Sequence, residues 1–132
     1  MMTVALGAVD PAELLRAVEK DRAHMAHVAW APLVVDLDTA RSMAAAPGVR
    51  GVFVNGELAG LVALQPMDDG RLNFAAWIVR EYEGYGVALE AGRQILATRT
   101  AEVVAPVDPS NARSVAYVAR LGFVEGVLPC RG

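Results

Sequence analysis

The sequence is short of cysteine and aromatic residues and has no long hydrophobic run. Cys130 is the only cysteine, which excludes an intrachain disulfide bond and a cysteine-based zinc site. The longest apolar run, residues 28–35, is interrupted by Pro32 and is far shorter than the ~18–20 residues that cross a bilayer. These features predict a cytoplasmic protein without a membrane partner.

The sequence also lacks a concentration of charge of one sign. Fifteen acidic and twelve basic residues give a net charge of −3, and Lys20 is the only lysine. Because no basic block occurs, we expect no nucleic-acid partner. With 55% hydrophobic and 20% charged residues, the chain has enough apolar surface to form a core. We expect a single folded domain over residues 1–132.

The first third of the chain predicts one strand and two helices. The apolar segment Thr3–Ala8 suits a strand. Residues 10–13 read Asp-Pro-Ala-Glu, which is typical of a helix start with an aspartate cap, a proline in the first turn and an acid that completes a capping box. Helical spacing of apolar residues extends this helix to about Arg22, and a second helix is expected over Thr39–Ala46.

The middle of the chain predicts three antiparallel strands. The apolar segments Val49–Val54 and Leu58–Leu64 flank the dipeptide 55–56, which reads Asn-Gly. Asn-Gly is the strongest short signal for a hairpin, because both central residues of a type I′ turn need a positive φ. A second turn at residues 68–70 leads into a third strand over Leu72–Val79.

The last third returns to alternating helices and strands. We expect a helix over Val87–Thr100, a strand over Glu102–Val107, a helix over residues 108–121 that Gly122 ends, and a last strand over Val124–Leu128. The order β-α-α-β-β-β-α-β-α-β predicts an α/β (α+β) fold, with a mixed, mostly antiparallel central sheet and about four flanking helices.

That order and two motifs resemble the GNAT family, the Gcn5-related N-acetyltransferases. In the first motif, Asn111–Phe123, an asparagine is followed by a serine three residues on and by a Leu-Gly-Phe ending. The second, Val79–Ala88, is similar to the family's pyrophosphate loop, Arg/Gln-x-x-Gly-x-Gly/Ala. The resemblance extends from Val49 to Val127, and residues 1–48 are compatible with it.

The resemblance implies an acetyl-CoA-dependent N-acetyltransferase that acts on a primary amine and needs no metal. A glycine-rich turn at a helix start exposes backbone amides, and these amides and the helix dipole suit a diphosphate; taken alone, the loop also fits a plain strand-to-helix turn. In the family, the strands on either side of the helix diverge and accept the pantetheine arm, which places the thioester near Trp77 and Tyr117. The implied cofactor-binding residues are Ile78, Val79, Arg80, Gly84, Tyr85, Gly86, Val87, Ala88, Asn111 and Ser114.

The pyrophosphate loop departs from the family in its charge. Glu83 stands where we expect arginine or glutamine, and a carboxylate beside a diphosphate is repulsive. Arg80 would compensate for it, although an exposed, solubilising role fits Arg80 equally well.

The residues that would transfer protons also depart from the family. Val118 occupies the position where many members have the tyrosine that protonates the leaving thiolate, and Tyr117 is its neighbour. The strand predicted before the glycine loop, Leu72–Val79, carries no acid. Glu81 and Asp108 therefore remain as candidate bases. The candidate catalytic residues are therefore Tyr117 and Glu81; packing for the tyrosine and a solvated role for the acids are the alternatives.

Asp21, His24 and His27 share a spacing that would align them along the first helix. A metal site, a proton-transfer role in the acceptor cleft and ordinary partly exposed helix residues are all compatible with this pattern. Two histidines without a fourth ligand are weak support for a metal, and no metal is predicted.

The chain ends four residues after Leu128, where the family has a seventh strand. The last strand would then either pair directly with the strand over Glu102–Val107 or leave an open sheet edge, and an open edge pairs with other chains. We therefore expect a homo-oligomer or a partner in a larger assembly. A catalytically inactive GNAT-fold subunit of such an assembly, for example a virion component, is the alternative to an enzyme.

Overall fold

The computed structural model describes residues 2–26 and 28–125. Its five strands form one sheet in the order β1-β2-β3-β4-β5. The strands are β1 Val4–Gly7, β2 Val49–Val54, β3 Glu57–Pro66, β4 Leu72–Ile78 and β5 Val103–Val104. The helices are α1 Pro11–Asp21, α2 Leu37–Ala45, α3 Val87–Leu96 and α4 Ala112–Arg120, and short 3₁₀ turns lie at Arg22–His24, Ala31–Leu33 and Arg80–Tyr82.

The sheet is mixed and mostly antiparallel, as predicted. Strands β1 to β4 pair antiparallel in sequence order, and β5 pairs parallel to β4. The β2–β3 turn has φ of 49° at Asn55 and 87° at Gly56, which confirms the predicted Asn-Gly hairpin.

The helices cover the two faces of the sheet in pairs. Helices α1 and α2 pack on one face, where Trp77 and Val79 at the end of β4 belong to their hydrophobic cluster. Helices α3 and α4 pack on the other face, where Phe74 of β4 joins Val87 of α3. Side chains of β4 therefore alternate between the two layers, and the end of β4 is accessible to groups from both of them.

The predicted cap of α1 is wrong. The side chain of Asp10 makes no capping hydrogen bond, and Glu13 does not complete a capping box. Pro11 fixes the first turn through its own φ and has no N–H that needs an acceptor. The capping box lies instead on α2, where Asp36 Oδ1 accepts from the Thr39 N–H and Thr39 Oγ1 accepts from the Asp36 N–H.

The end of α4 agrees with the sequence prediction. Gly122 has a φ of 99°, and the Phe123 N–H donates to the Val118 carbonyl at 3.0 Å, which is the Schellman arrangement. The Phe123 ring then packs on Phe74 with a centroid separation of 5.7 Å. This contact fixes α4 against β4.

The two strands that flank α4 differ from the prediction. Strand β5 has two residues, Val103–Val104, instead of the expected 102–107, and Pro106 has no N–H to continue a ladder. Of the predicted last strand, residues 124 and 125 are outside any strand, and residues 126–128 lie outside the described residues. Helix α3 ends at Leu96, four residues earlier than expected.

Candidate active site

Strands β4 and β5 separate after two residue pairs. Leu72 pairs with Val103 and Asn73 with Val104, and the register ends there. From Phe74 to Ile78, β4 continues with β3 on one side and no strand of the described chain on the other. The two strands are therefore open over most of the length of β4, as the sequence prediction required.

The direction of the free backbone groups follows from two hydrogen bonds. The Leu72 N–H donates to the Glu102 carbonyl at 2.8 Å, on the β5 side. The Val79 N–H donates to the Ala59 carbonyl at 2.7 Å, on the β3 side. Because backbone groups alternate along a strand, even-numbered residues of β4 direct their N–H and C=O groups toward the β5 side.

The open edge of β4 is therefore formed by Phe74, Ala76 and Ile78. Ala76 is solvent-exposed although it lies within a strand of the sheet, and this exposure marks the opening. The predicted pair of edge residues, Ile78 and Val79, needs a correction: the Val79 amide is already bonded to β3, so Ile78 supplies the free amide. We call the space beside this edge the wedge.

The glycine loop leads from β4 into an uncapped helix. Gly84 and Gly86 have φ of 85° and 78°, and a Cβ at either position would meet no atom within 4 Å. Gly86 precedes α3, and no described side chain caps that helix, whereas Asn111 Oδ1 caps α4 by accepting the Ser114 N–H. The first amides of α3 are thus free, and the predicted loop residues Tyr85, Val87 and Ala88 follow the turn in the expected order.

Both acids of this loop contact a basic side chain. In the predicted frame, Glu83 holds the Arg/Gln position of the family pattern, and Gly86 and Ala88 hold its glycine and Gly/Ala positions. Glu81 pairs with Lys20 of α1 at 3.0 Å, and Glu83 pairs with Arg113 of α4 at 3.4 Å. Sequence reasoning missed Arg113; its position two residues after Asn111, in the first turn of a helix, was the available signal.

Tyr82 ties the loop to the start of β3. Its hydroxyl donates to Glu57 Oε2 at 2.8 Å. This hydrogen bond, with smaller contributions from burial and from the charges of Glu57 and Glu81, raises the pKa of Tyr82 to about 12. The folded protein therefore holds the phenol proton more tightly than the unfolded chain does.

We expect this bond to give the protein a specific alkaline sensitivity. The contribution of this hydrogen bond to the free energy of unfolding is fully present below the ordinary tyrosine pKa of 10.0, and it is lost as the pH rises through about 12. Tyr82→Phe should therefore reduce the fall in the free energy of unfolding between these pH values, as measured by urea unfolding. Glu57→Gln keeps an acceptor but removes the charge, and it should shift the fall to lower pH. An unchanged pH profile in Tyr82→Phe would contradict this assignment.

Tyr117 and Trp77 lie on opposite faces of the sheet. The Tyr117 hydroxyl donates to the Ala88 carbonyl of α3 at 2.7 Å, and burial raises the pKa of this tyrosine. Trp77 packs edge-on against Trp30 in the α1 layer, with a centroid separation of 5.4 Å. A thioester can lie near both residues only in the plane of the sheet, within the wedge.

The candidate bases differ in how they are engaged. Asp108 Oδ1 accepts hydrogen bonds from the N–H and the hydroxyl of Ser110, in the turn before α4, and these bonds lower the pKa of Asp108. The Glu81 side chain is 57% exposed and faces Lys20.

A groove of about 570 Å³ lies on the α1 side of the β4–α3 loop. Asp21 lines it and accepts the Arg80 backbone N–H at 3.2 Å. The Arg80 guanidinium lies 2.8 Å from His24 Nε2, so this cation faces the 3₁₀ turn after α1 instead of Glu83. His27 lies outside the described residues.

A second cavity, of about 600 Å³, lies near the start of β4, where Leu72 and Ile95 line it.

Residues 2–26 and 28–125 contain no group of three or more His, Cys, Asp or Glu side chains placed to hold a metal. Across the same ranges, no helix has the length and hydropathy to cross a membrane.

A sheet with a wedge beside an uncapped, glycine-led helix defines the class of fold, and a family comparison identifies it. The family model described as "Acetyltransferase (GNAT) domain" matches residues 6–124. The chain therefore belongs to the GNAT acetyltransferase family, as its motifs predicted.

Solved structures agree with this assignment. The microcin C7 self-immunity acetyltransferase MccE, in complex with acetyl-CoA and AMP, has a TM-score of 0.78 and 16% identity, over 91% of this chain and 78% of that chain. The ribosomal L7/L12 alpha-N-protein acetyltransferase RimL, in complex with coenzyme A, has a TM-score of 0.76 and 20% identity, over 94% and 82%. An acetyltransferase from Thermus thermophilus has a TM-score of 0.71 and 17% identity, over 92% and 87%. These likenesses establish the fold. Among curated protein sequences, none matches the chain.

Proposed function

We propose that this protein is an acetyl-CoA-dependent N-acetyltransferase whose acceptor is a primary amine. The observation that carries the proposal is the wedge itself: an unpaired strand edge that ends at a helix start with free amides. An amide-containing arm attached to a diphosphate is complementary to both features. Family membership supports the same chemistry.

Backbone groups at the wedge can bind three parts of acetyl-CoA: the pantetheine arm, the diphosphate and the thioester carbonyl. The Ala76 N–H and the C=O groups of Ala76 and Ile78 would pair with the pantetheine amides in the manner of an added strand. The amides that follow Gly84 and Gly86 would bind the diphosphate, and the absence of Cβ atoms leaves room for it. The Ile78 N–H is the free donor nearest the end of β4 and would polarise the thioester carbonyl.

In the transfer, the amine nitrogen attacks the thioester carbonyl carbon, a C–N bond forms and the C–S bond breaks. The C–S electron pair leaves on the coenzyme A sulfur, which would take a proton from Tyr117, and the amine nitrogen would give its proton to Glu81. We retain Glu81 and Tyr117 as the proposed proton-transfer residues. Before either residue transfers a proton, Glu81 must release Lys20, and the Tyr117 hydroxyl must release the Ala88 carbonyl. Holding the two reactants together accounts for much of the expected rate.

Calorimetry with acetyl-CoA, followed by an assay of thiol release with an amine panel, tests the proposal. We expect a micromolar dissociation constant, and thiol release that depends on an amine. Absence of heat and of thermal stabilisation at millimolar acetyl-CoA would instead favour an inactive GNAT-fold subunit.

Gly86→Ala should weaken acetyl-CoA binding more than it destabilises the fold. A left-handed alanine costs roughly 1 kcal/mol, and its Cβ would enter the space beside the free amides. Gly70→Ala is the matched control, since Gly70 also has a positive φ and open space but lies in the β3–β4 turn. Both variants should lose similar stability in urea unfolding, and only Gly86→Ala should lose about tenfold in affinity by calorimetry. Equal affinities would place the diphosphate elsewhere.

Glu83→Gln should strengthen acetyl-CoA binding by roughly two- to threefold at low salt. The change removes an acid beside the loop and frees Arg113, which is exposed and pairs with no other acid in the part of the chain that the structure describes. Glu83→Arg should strengthen binding further. Asp38→Asn, which breaks the exposed pair with Arg41 on α2, should leave the affinity unchanged. If Glu83→Gln behaves like this control, the diphosphate does not lie near Glu83.

We further propose that the protein works in the cytoplasm and self-associates through a sheet edge. Within residues 2–26 and 28–125, the two-residue strand β5 is the last strand of the sheet on the wedge side, and little of that edge is paired. Sedimentation velocity at micromolar concentration tests the association, and a single monomer boundary would contradict it.

A further inference from the structure

The groove beside α1 contains a buried carboxylate. Asp21, the last residue of α1, is 8% exposed and is the one buried charged side chain in the described part of the chain. It lines the groove together with Lys20, His24 and Arg80. Charged side chains are rarely buried to this extent unless they are paired, so the surroundings of Asp21 indicate what this carboxylate is for.

No basic side chain is paired with Asp21 among residues 2–26 and 28–125. Its one hydrogen bond comes from the Arg80 backbone N–H to Oδ1. The adjacent cations are engaged elsewhere: Lys20 pairs with Glu81, and the Arg80 guanidinium contacts His24. A buried carboxylate without a cation is unfavourable. The Asp21 carboxylate is therefore electrostatically complementary to a small cation that can reach it.

We propose that Asp21 binds the ammonium group of the acceptor amine. This inference rests on the proposed function and specifies the residue that selects the acceptor. Val79 and Arg80 line the groove and directly follow Ile78, whose free amide ends the open edge of β4. An ammonium held at Asp21 is thus positioned at the end of the wedge, on the face that carries Trp77.

The positive charge of the side chains around the groove favours some classes of acceptor amine over others. Arg16, Lys20 and Arg80 line the groove, and its second acid, Glu81, is already paired with Lys20. Like charges repel. A polyamine would bring additional positive charge against these residues. We therefore expect a monoamine to bind better than a polyamine of similar reach.

The experiment is a titration of the full chain with n-butylammonium, followed by backbone amide NMR. Because the Arg80 N–H donates to Asp21, its resonance reports on any ligand at that carboxylate. We expect a saturable shift of the Arg80 resonance, a weaker response to spermidine, and none to sodium at equal ionic strength. Asp21→Asn retains an oxygen that accepts the Arg80 N–H but lacks the charge, so its response should fall at least tenfold. Asp38→Asn, an exposed acid of α2, should behave as the wild type.

The outcomes separate this inference from the proposed function. No saturable shift in the wild type, the same shift with sodium, or the same shift in Asp21→Asn would overturn the role of Asp21. A titration of the same sample with acetyl-CoA should shift the amides after Gly86. If acetyl-CoA has no effect while butylammonium shifts Arg80, the proposed function fails and the ammonium site remains.

Discussion

Ala76→Pro should abolish most acetyl-CoA binding and leave the fold nearly intact. The Ala76 N–H faces the wedge and bonds to nothing in β3, so a proline removes no hydrogen bond of the sheet. It does remove a donor for the pantetheine arm, and its ring occupies the space where that arm would lie. A lost hydrogen bond of ~1 kcal/mol together with the steric block should reduce the affinity by about tenfold or more in calorimetry.

Ala75→Pro is the matched control for the direction of the backbone. Ala75 pairs with Ala63, and its N–H points to β3 because it alternates with Ala76. This proline should therefore cost about 2–3 kcal/mol of folding free energy and lower the melting temperature by roughly 10 °C. If instead Ala76→Pro is the more destabilising of the two, the assignment of the open edge is reversed.

Gly60→Ala should be among the most destabilising single changes in the protein. Gly60 lies in β3 opposite Ile78, and a Cβ there would be 1.9 Å from the Trp77 carbonyl oxygen and 2.9 Å from the Ile78 Cα. Both contacts are with backbone atoms, which cannot rotate away. Strands β3 and β4 would have to separate at the end of the wedge, and we expect a loss of about 3 kcal/mol in urea unfolding.

Gly7→Ala provides the comparison for Gly60→Ala. Gly7 is also a strand glycine, but its nearest neighbour is a ring carbon of Phe53 at 3.3 Å, which can move. This variant should lose less than about 1 kcal/mol. Similar losses at both positions would show that the approach of Trp77 to β3 does not limit stability.

The parts of the fold that the sequence predicted are those that single residues determine locally. Asn55 and Gly56 adopt the positive φ that their turn requires, and Gly122 ends α4 as its position indicated. Gly84 and Gly86 likewise form the expected loop. In each case the backbone conformation depends on the residue itself, so a short motif is sufficient.

The parts that the sequence did not predict depend on contacts between distant segments. The pairing of Glu83 with Arg113 joins residues thirty positions apart, and burial of Asp21 depends on the position of Arg80. The alternation that directs the Val79 amide to β3 depends on strand register, which the apolar pattern alone does not fix at a strand end. The partners and the burial of the acids and cations of the site could therefore be established only from the structure.

Hydrogen exchange of the β4 amides tests the central claim most directly. In the free protein, the Ala76 and Ile78 amides should exchange rapidly, whereas the Val79 amide, which is bonded to Ala59, should be protected. Saturating acetyl-CoA should slow exchange at Ala76 and Ile78 and leave Val79 unchanged. Slow exchange of Ala76 and Ile78 before acetyl-CoA is added, or no change on its addition, would contradict an open edge that binds the cofactor.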